Sequence, residues 1–196
     1  MDNISVVSDN VYAKIAIIKM VSQLCSGRRL KKTYAIYSFE RTWLNENELS
    51  SILNCKAGRI LILAPKSLLT FLSTLNFKEK ISFSHYDAPL SVLKMALNAF
   101  LNYVKKEDVK SIIYPTESKS LSPNECSITL LYFEGLSIKH IARLMNKSHK
   151  TISAHKRNAM KKMGVATNAE LIKKRGGILL ANKLNIINKQ KLTLQN

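Results

Sequence analysis

The stretch Leu121–Val165, LSPNECSITLLYFEGLSIKHIARLMNKSHKTISAHKRNAMKKMGV, decides the architecture of the second half of the chain. It opens with Ser122-Pro123-Asn124-Glu125, an S-x-x-E capping box with proline at the first helical position, where its missing N–H costs nothing. The first helix runs through Ile128, Leu131 and Tyr132 to Glu134-Gly135, where glycine supplies the positive φ of a helix end. Ser137 caps a short second helix, Ile138 to Met145, whose Ile138, Ile141, Ala142 and Met145 recur at helical spacing. Asn146-Lys147-Ser148 is the turn, and Ser148 caps a third helix reaching Met163. Two short helices about a tight turn, the second strongly basic, make a helix-turn-helix.

The third helix carries the chemistry. From Asn146 to Val165 there are six lysines and arginines, two histidines and no carboxylate. Ile152, Ala159 and Met163 fall on one narrow stripe that must pack inward. Opposite lie Lys150, Ser153, Ala154, Arg157 and Lys161, small residues flanked by long cations. Such a face lets a helix sit closely in the major groove while the cations reach guanine edges or phosphates. A merely solvated helix normally mixes both signs of charge.

Composition agrees. The 196 residues carry a formal net charge of +18 and 46% hydrophobic residues, enough for a real core and far too basic for a neutral role. Residues 1–117 hold 16 basic and 10 acidic side chains, a net +6, whereas 118–196 hold 15 and 3, a net +12. The shorter part is twice as positive, and the Ser, Thr and Pro-rich YPTESKSLSP (Tyr114–Pro123) separates the two. This divides the chain into an N-terminal domain 1–113, a linker 114–120, a helix-turn-helix domain 121–177 and a tail 178–196. The apolar SILNCKAGRILILAPKSLLTFLSTL is broken by Lys56, Arg59 and Lys66, so no membrane span is expected, and MDNISVVSDN lacks the form of a signal peptide. A cytoplasmic, nucleoid-associated protein is expected. Cys25, Cys55 and Cys126 are scattered packed thiols rather than a disulfide or zinc framework. No Ser/His/Asp order, glycine-rich phosphate loop or metal-spaced cluster is visible, which argues against an enzyme, a metal or a cofactor.

Leu121–Val165 resembles the LuxR/FixJ-type helix-turn-helix of bacterial transcription regulators. KTISAHKRNAMKKMGV is most similar to the RcsB-like branch of capsule and colony-form regulators. The resemblance extends over residues 120–175, through Asn168-Ala169-Glu170-Leu171. It implies base contacts from Ser153, Ala154 and Arg157, and phosphate contacts from Lys147, Lys150, Thr151, Lys156 and Lys161. For Thr151, a phosphate contact and a plain helix-start role stand side by side, and His155 lies at the edge of the buried stripe as a packed residue or a base reader. A fourth helix from Ala169 to about Arg175 is similar to the family's dimerisation helix, which implies Leu171 and Ile172 as contacts. Beyond Gly176-Gly177 the chain departs from the pattern; the tail is an extra helix, a partner-binding segment or a frayed end.

The first part alternates β-like runs, ISVVS, TYAIYSF, GRILILAP and KISFSH, with helix-compatible segments, as an α/β domain with a parallel sheet does. It resembles a response-regulator receiver, too short for five βα units and so with one missing or degenerate. Phosphoryl capture there requires a carboxylate at the end of a central strand, an acidic pair for Mg²⁺ and a lysine. Here the pair is reduced to Ser8-Asp9, the GRILILAP strand ends at Ala64-Pro65, and the resemblance places Tyr86 where the lysine would sit. Asp9 and Asp87 are read as a helix cap and a turn residue. The fold expected is thus a degenerate receiver-like α/β domain followed by an all-α, four-helix helix-turn-helix domain. The function expected is that of a regulator binding double-stranded DNA as a homodimer, or as a heterodimer with a related regulator, without aspartyl phosphorylation. The alternative is an anti-regulator that pairs with a related regulator and does not itself read DNA.

Overall fold

The computed structural model describes residues 3–27, 30, 32–75, 81–102 and 121–183. The chain divides into two compact units, one of Met1–Thr42, Leu53–Leu69 and Phe77–Glu117, the other of Trp43–Ile52, Thr70–Asn76 and Ser118–Asn196. The expected linker 114–120 and residues 184–196 of the expected tail lie outside the described residues.

The first unit is built on four parallel strands in sequential order, β1 (Ile4–Ser8), β2 (Tyr34–Ser38), β3 (Arg59–Ala64) and β4 (Ile81–His85). Each β-like run of the sequence is one of these strands. Between the strands run α1 (Val11–Leu24), α2 (Glu46–Leu53) and α3 (Lys66–Ser73), with α4 (Leu90–Asn102) after the last strand; α2 up to Ile52 and α3 from Thr70 onward belong to the second unit. Sequential order leaves β2 and β3 as the inner strands, buried on both sides and accordingly near-continuous apolar runs. One face packs Ile36, Leu61 and Leu63 against Ile17, Met20 and Val21 of α1 and Leu97, Phe100 and Leu101 of α4. Tyr34 and Phe100 meet edge to face at 5.4 Å. Asn10, not Asp9, caps α1, its side chain accepting from the backbone N–H groups of Tyr12 and Ala13. Asp9 is instead paired with Arg41 at 3.2 Å.

In the second unit, α5 (Pro123–Phe133), α6 (Ile138–Leu144), α7 (His149–Lys162) and α8 (Asn168–Lys173) follow in order. Ser122, Ser137 and Ser148 are the N-caps read from the sequence, and Thr167, which the sequence reading passed over, caps α8 one residue earlier than expected. Ile128, Ile141, Ala142 and Ile152 form the core, with Leu131, Tyr132, Leu136, Ile138 and Met145 packed against it. In the turn before α7, Asn146 adopts φ +49 and the Lys147 N–H reaches back to the Ala142 carbonyl at 2.9 Å. This is a Schellman closure, and asparagine tolerates its left-handed residue better than other side chains.

Gly176 and Gly177 do not end a helix. Residues 175–183 are helical, and a Cβ on Gly177 would stand 2.8 Å from the Phe71 ring, so glycine there answers a close approach.

Glu125 ties this unit together. Its carboxylate completes the capping box by accepting from the Ser122 N–H at 2.8 Å, and it meets the Lys162 ammonium at 2.7 Å, joining the start of α5 to the end of α7. Burial pushes the Glu125 carboxyl up, but the bonds from Lys162 and Ser122 outweigh it and hold it below its ordinary value. A carboxyl depressed on folding contributes stability that is present above its unfolded value and lost as pH falls through the folded one. Glu125→Gln should therefore cost about 1–3 kcal/mol at neutral pH and flatten the acid limb of a thermal-melt series followed by circular dichroism. Asn146→Gly should leave the melting temperature unchanged or higher, while Asn146→Ala should lower it, costing about 1–2 kcal/mol of stability.

Candidate nucleic-acid interface

The geometry of α7 follows from its phase. At about 100° per residue, Ile152, Lys156, Ala159 and Met163 share one stripe, and all four are buried. Lys150, Ser153, Ala154, Arg157 and Lys161 share the opposite stripe, the cations exposed and the two small residues half-exposed between them. The Arg157 guanidinium lies back along the helix, its Nε 3.4 Å from the Ser153 carbonyl. Thr151 is exposed and its hydroxyl lies 2.8 Å from that of the cap Ser148, while Lys147 is half-buried just before the helix. Lys139 and Arg143 of α6 are exposed, and His155 is half-buried. From Gly135 to Ala169 the sequence holds eight lysines and arginines and no carboxylate, so nothing on these helices neutralises the outward face.

Two expected site residues are placed otherwise. Lys156 does not join the outward group: its ammonium donates to the Asn168 side-chain carbonyl at 2.8 Å and stands 3.5 Å above the centre of the Tyr132 ring. The aromatic face and the amide oxygen replace the water a buried cation loses, so Lys156 joins α7 to α5 and α8. Leu171 is fully buried, whereas its neighbour Ile172 is 54% exposed.

The strand ends of the first unit form a second polar cluster. The GRILILAP strand is inner and lacks a terminal carboxylate as expected, but so placed is β2, and Glu40 follows two residues after it. Sequence reasoning overlooked Glu40 because it weighed one inner strand only. The Glu40 carboxylate accepts from the Asn10 amide and from the Tyr86 hydroxyl. That hydrogen bond, with burial and the charges of Glu40 and Asp9, pushes the Tyr86 phenol up to about 12. Asp87 is exposed and sits 3.7 Å from His85. Asp9 is thus paired through Oδ2 with Arg41, and both donors to Glu40 meet its Oε1.

Residues 119–174 match the model of the family described as bacterial regulatory proteins, luxR family, and this segment is a LuxR-type helix-turn-helix domain. The transcriptional regulatory protein RcsB of Escherichia coli K12 is 43% identical over 54 residues, which are 28% of this chain and 25% of that protein. The transcriptional activator protein BglJ of the same strain is 41% identical over 59 residues, 30% of this chain and 26% of that protein. The chain thus spans about a quarter of the length of these curated relatives. A solved structure described as two RcsB dimers bound to two parallel DNAs has the same fold over 87% of this chain and 95% of that one, with a TM-score of 0.57 at 21% identity.

Lys156→Ala should lower the stability of the helical domain by about 1–3 kcal/mol, while Lys150→Ala should stay within about 0.5 kcal/mol; chemical denaturation reads both. A phenol raised on folding favours the fold below the unfolded tyrosine value of about 10 and loses that contribution as pH climbs toward 12. In an alkaline titration by ultraviolet absorbance, one tyrosine should ionise about two units late, and Tyr86→Phe should remove that step.

Proposed function

We propose that this chain is a bacterial transcription regulator that binds double-stranded DNA by laying α7 in the major groove. The observation that carries the reading is the unneutralised outward stripe of α7, with small Ser153 and Ala154 between Lys150, Arg157 and Lys161. Small residues permit close entry, Arg157 supplies a fork for a guanine edge, and Lys147, Lys150, Thr151 and Lys161 lie near enough to take phosphates. Lys156 acts behind this face by fixing the helix. The match of residues 119–174 to a family of regulatory proteins supports the same reading. Such a protein works at the nucleoid in the cytoplasm; among the described residues no helix is long and apolar enough to cross a membrane.

A single recognition helix buries too little surface for tight specific binding, so two half-sites about one DNA turn apart are required. The regulator acts as a homodimer, or as a heterodimer with a related regulator, and the exposed Ile172 is the contact on α8. Activity is independent of aspartyl phosphorylation, a reading supported by the lack of a carboxylate at the end of β3, by Tyr86 where the resemblance expects a lysine, and by the pairing of Asp9 with Arg41.

A gel shift with the purified chain alone tests the core of the reading. Specific binding should weaken steeply with salt. Arg157→Ala should cost about 1–3 kcal/mol and relax preference at one base pair, and Lys150→Ala should weaken all sequences alike and reduce the salt slope by about one. If the chain is inert alone and only alters the binding of a related regulator mixed with it, the anti-regulator reading replaces this one. Ile172→Asp should lower operator affinity and change the stoichiometry without unfolding the domain. Incubation with acetyl phosphate and Mg²⁺ should leave the intact mass unchanged; a phosphoryl gain that vanishes in Asp9→Ala or Asp87→Ala would refute phosphorylation independence.

A further inference from the structure

The two flanks of α7 are unequal. A helix in the major groove lies between two walls of phosphates, one for each DNA strand, so each flank of the helix meets a wall. At about 100° per residue, Thr151, Asn158 and Lys162 run along one side of the outward stripe. His149, Ser153, Lys156 and Met160 run along the other, at successive spacings of four, three and four residues. On this second flank Ser153 and Met160 are uncharged, and Lys156 is engaged with Asn168 and the Tyr132 ring. His149, the first residue of α7, is exposed. It is the side chain of that flank left to carry a charge to DNA, and an imidazole does so only when protonated.

We propose, resting on α7 as the DNA-reading helix, that His149 contacts a backbone phosphate as an imidazolium on the flank Lys156 leaves, so that DNA binding takes up a proton and tightens as pH falls. A phosphate beside the ring favours its charged form, and by reciprocity the charged form favours the phosphate. The charges near the start of α7 are positive. The packed helix α6 brings Lys139, His140 and Arg143, and the residues on either side of Ser148 bring Lys147 and Lys150. The carboxylates of the other elements packed on α7 are placed otherwise. Glu125 of α5 is bound by Lys162 at the far end of α7, Glu134 caps the end of α5 and is exposed, and Glu170 of α8 accepts from the Ala166 N–H. Between Gly135 and Ala169 there is no carboxylate, so the charge that His149 gains is left for the nucleic acid to neutralise. The other histidines of the domain are less well placed: His140 has its Nδ1 3.2 Å from the Ser137 hydroxyl at the start of α6, and His155 is half-buried.

Phosphate contacts do not depend on sequence, so the probe is a labelled mixed-sequence DNA duplex of about thirty base pairs, titrated with the full chain by fluorescence anisotropy. Ionic strength is held constant between about pH 5.5 and about pH 7.5, the range in which histidine changes charge. That window lies below Lys174, whose ammonium burial lowers to about 8. Wild-type affinity should rise about fivefold from the upper limit to the lower, and the salt slope should steepen by about one phosphate contact. His149→Gln should keep the affinity of the upper limit and lose both changes, with an unaltered melting temperature. His149→Lys should bind near the tighter level at every pH. Persistence of the pH dependence in His149→Gln, its disappearance instead in His140→Gln, His155→Gln or His85→Gln, or a wild-type affinity that does not vary with pH would overturn the proposal and leave α7 as the reading helix. A chain that binds no DNA at any pH, even at low salt, would overturn both.

Discussion

A helix can offer one face to a ligand only if the opposite face is fixed, and the clamp on α7 is the constraint on which the rest of the helical domain depends. It has an apolar part, Ile152, Ala159 and Met163, and two charged parts at different heights along the helix. Lys156 anchors the middle through Tyr132 and Asn168, and Lys162 anchors the end through Glu125. Glu125 is also the residue that closes the capping box of α5, so one carboxylate both starts the first helix and holds the last turn of the third. Hydrophobic burial alone is non-directional and lets a helix rotate or slide by small amounts. Polar contacts with fixed geometry set its phase, and the phase decides which side chains face outward.

Most of this was legible in the sequence because capping is local chemistry. Serine at positions 122, 137 and 148 announces helix starts through hydrogen bonds that span three residues, and the glycine and asparagine turns at 135 and 146 announce the ends. The failures share a cause. Lys156 stands four residues after Ile152 and three before Ala159, squarely on the inward stripe, so its phase was readable, but the resemblance placed it among the phosphate contacts. Leu171 was assigned to a dimer surface by resemblance although its own helix needed an apolar residue to bury, and it is Ile172 beside it that is exposed.

In the first unit the strands were legible as apolar runs, but their order was not, because which strands lie inside depends on pairings between residues far apart in sequence. Once β2 is known to be inner, Glu40 becomes the carboxylate that a receiver-like sheet would carry at the mouth of its strands. The Asn10 amide and the Tyr86 phenol both donate to its Oε1, so this carboxylate joins the ends of β1, β2 and β4.

The pair Gly176-Gly177 shows the limit of local rules most plainly. Each glycine in a helix costs about 1 kcal/mol relative to alanine, which is why two together read as a stop. That penalty is an average over helices with room around them. At Gly177 an added Cβ would meet the Phe71 ring at 2.8 Å and a Leu49 methyl at 3.3 Å, and the second of these residues is fully buried. Only a residue without a side chain lets the backbone of 175–183 come this near, and the contact it allows, with Lys174 held 4.9 Å from the centre of the same ring, buries Ile178 beside it. The conformational cost is local and visible in the sequence, whereas the packing that offsets it involves residues more than a hundred positions away.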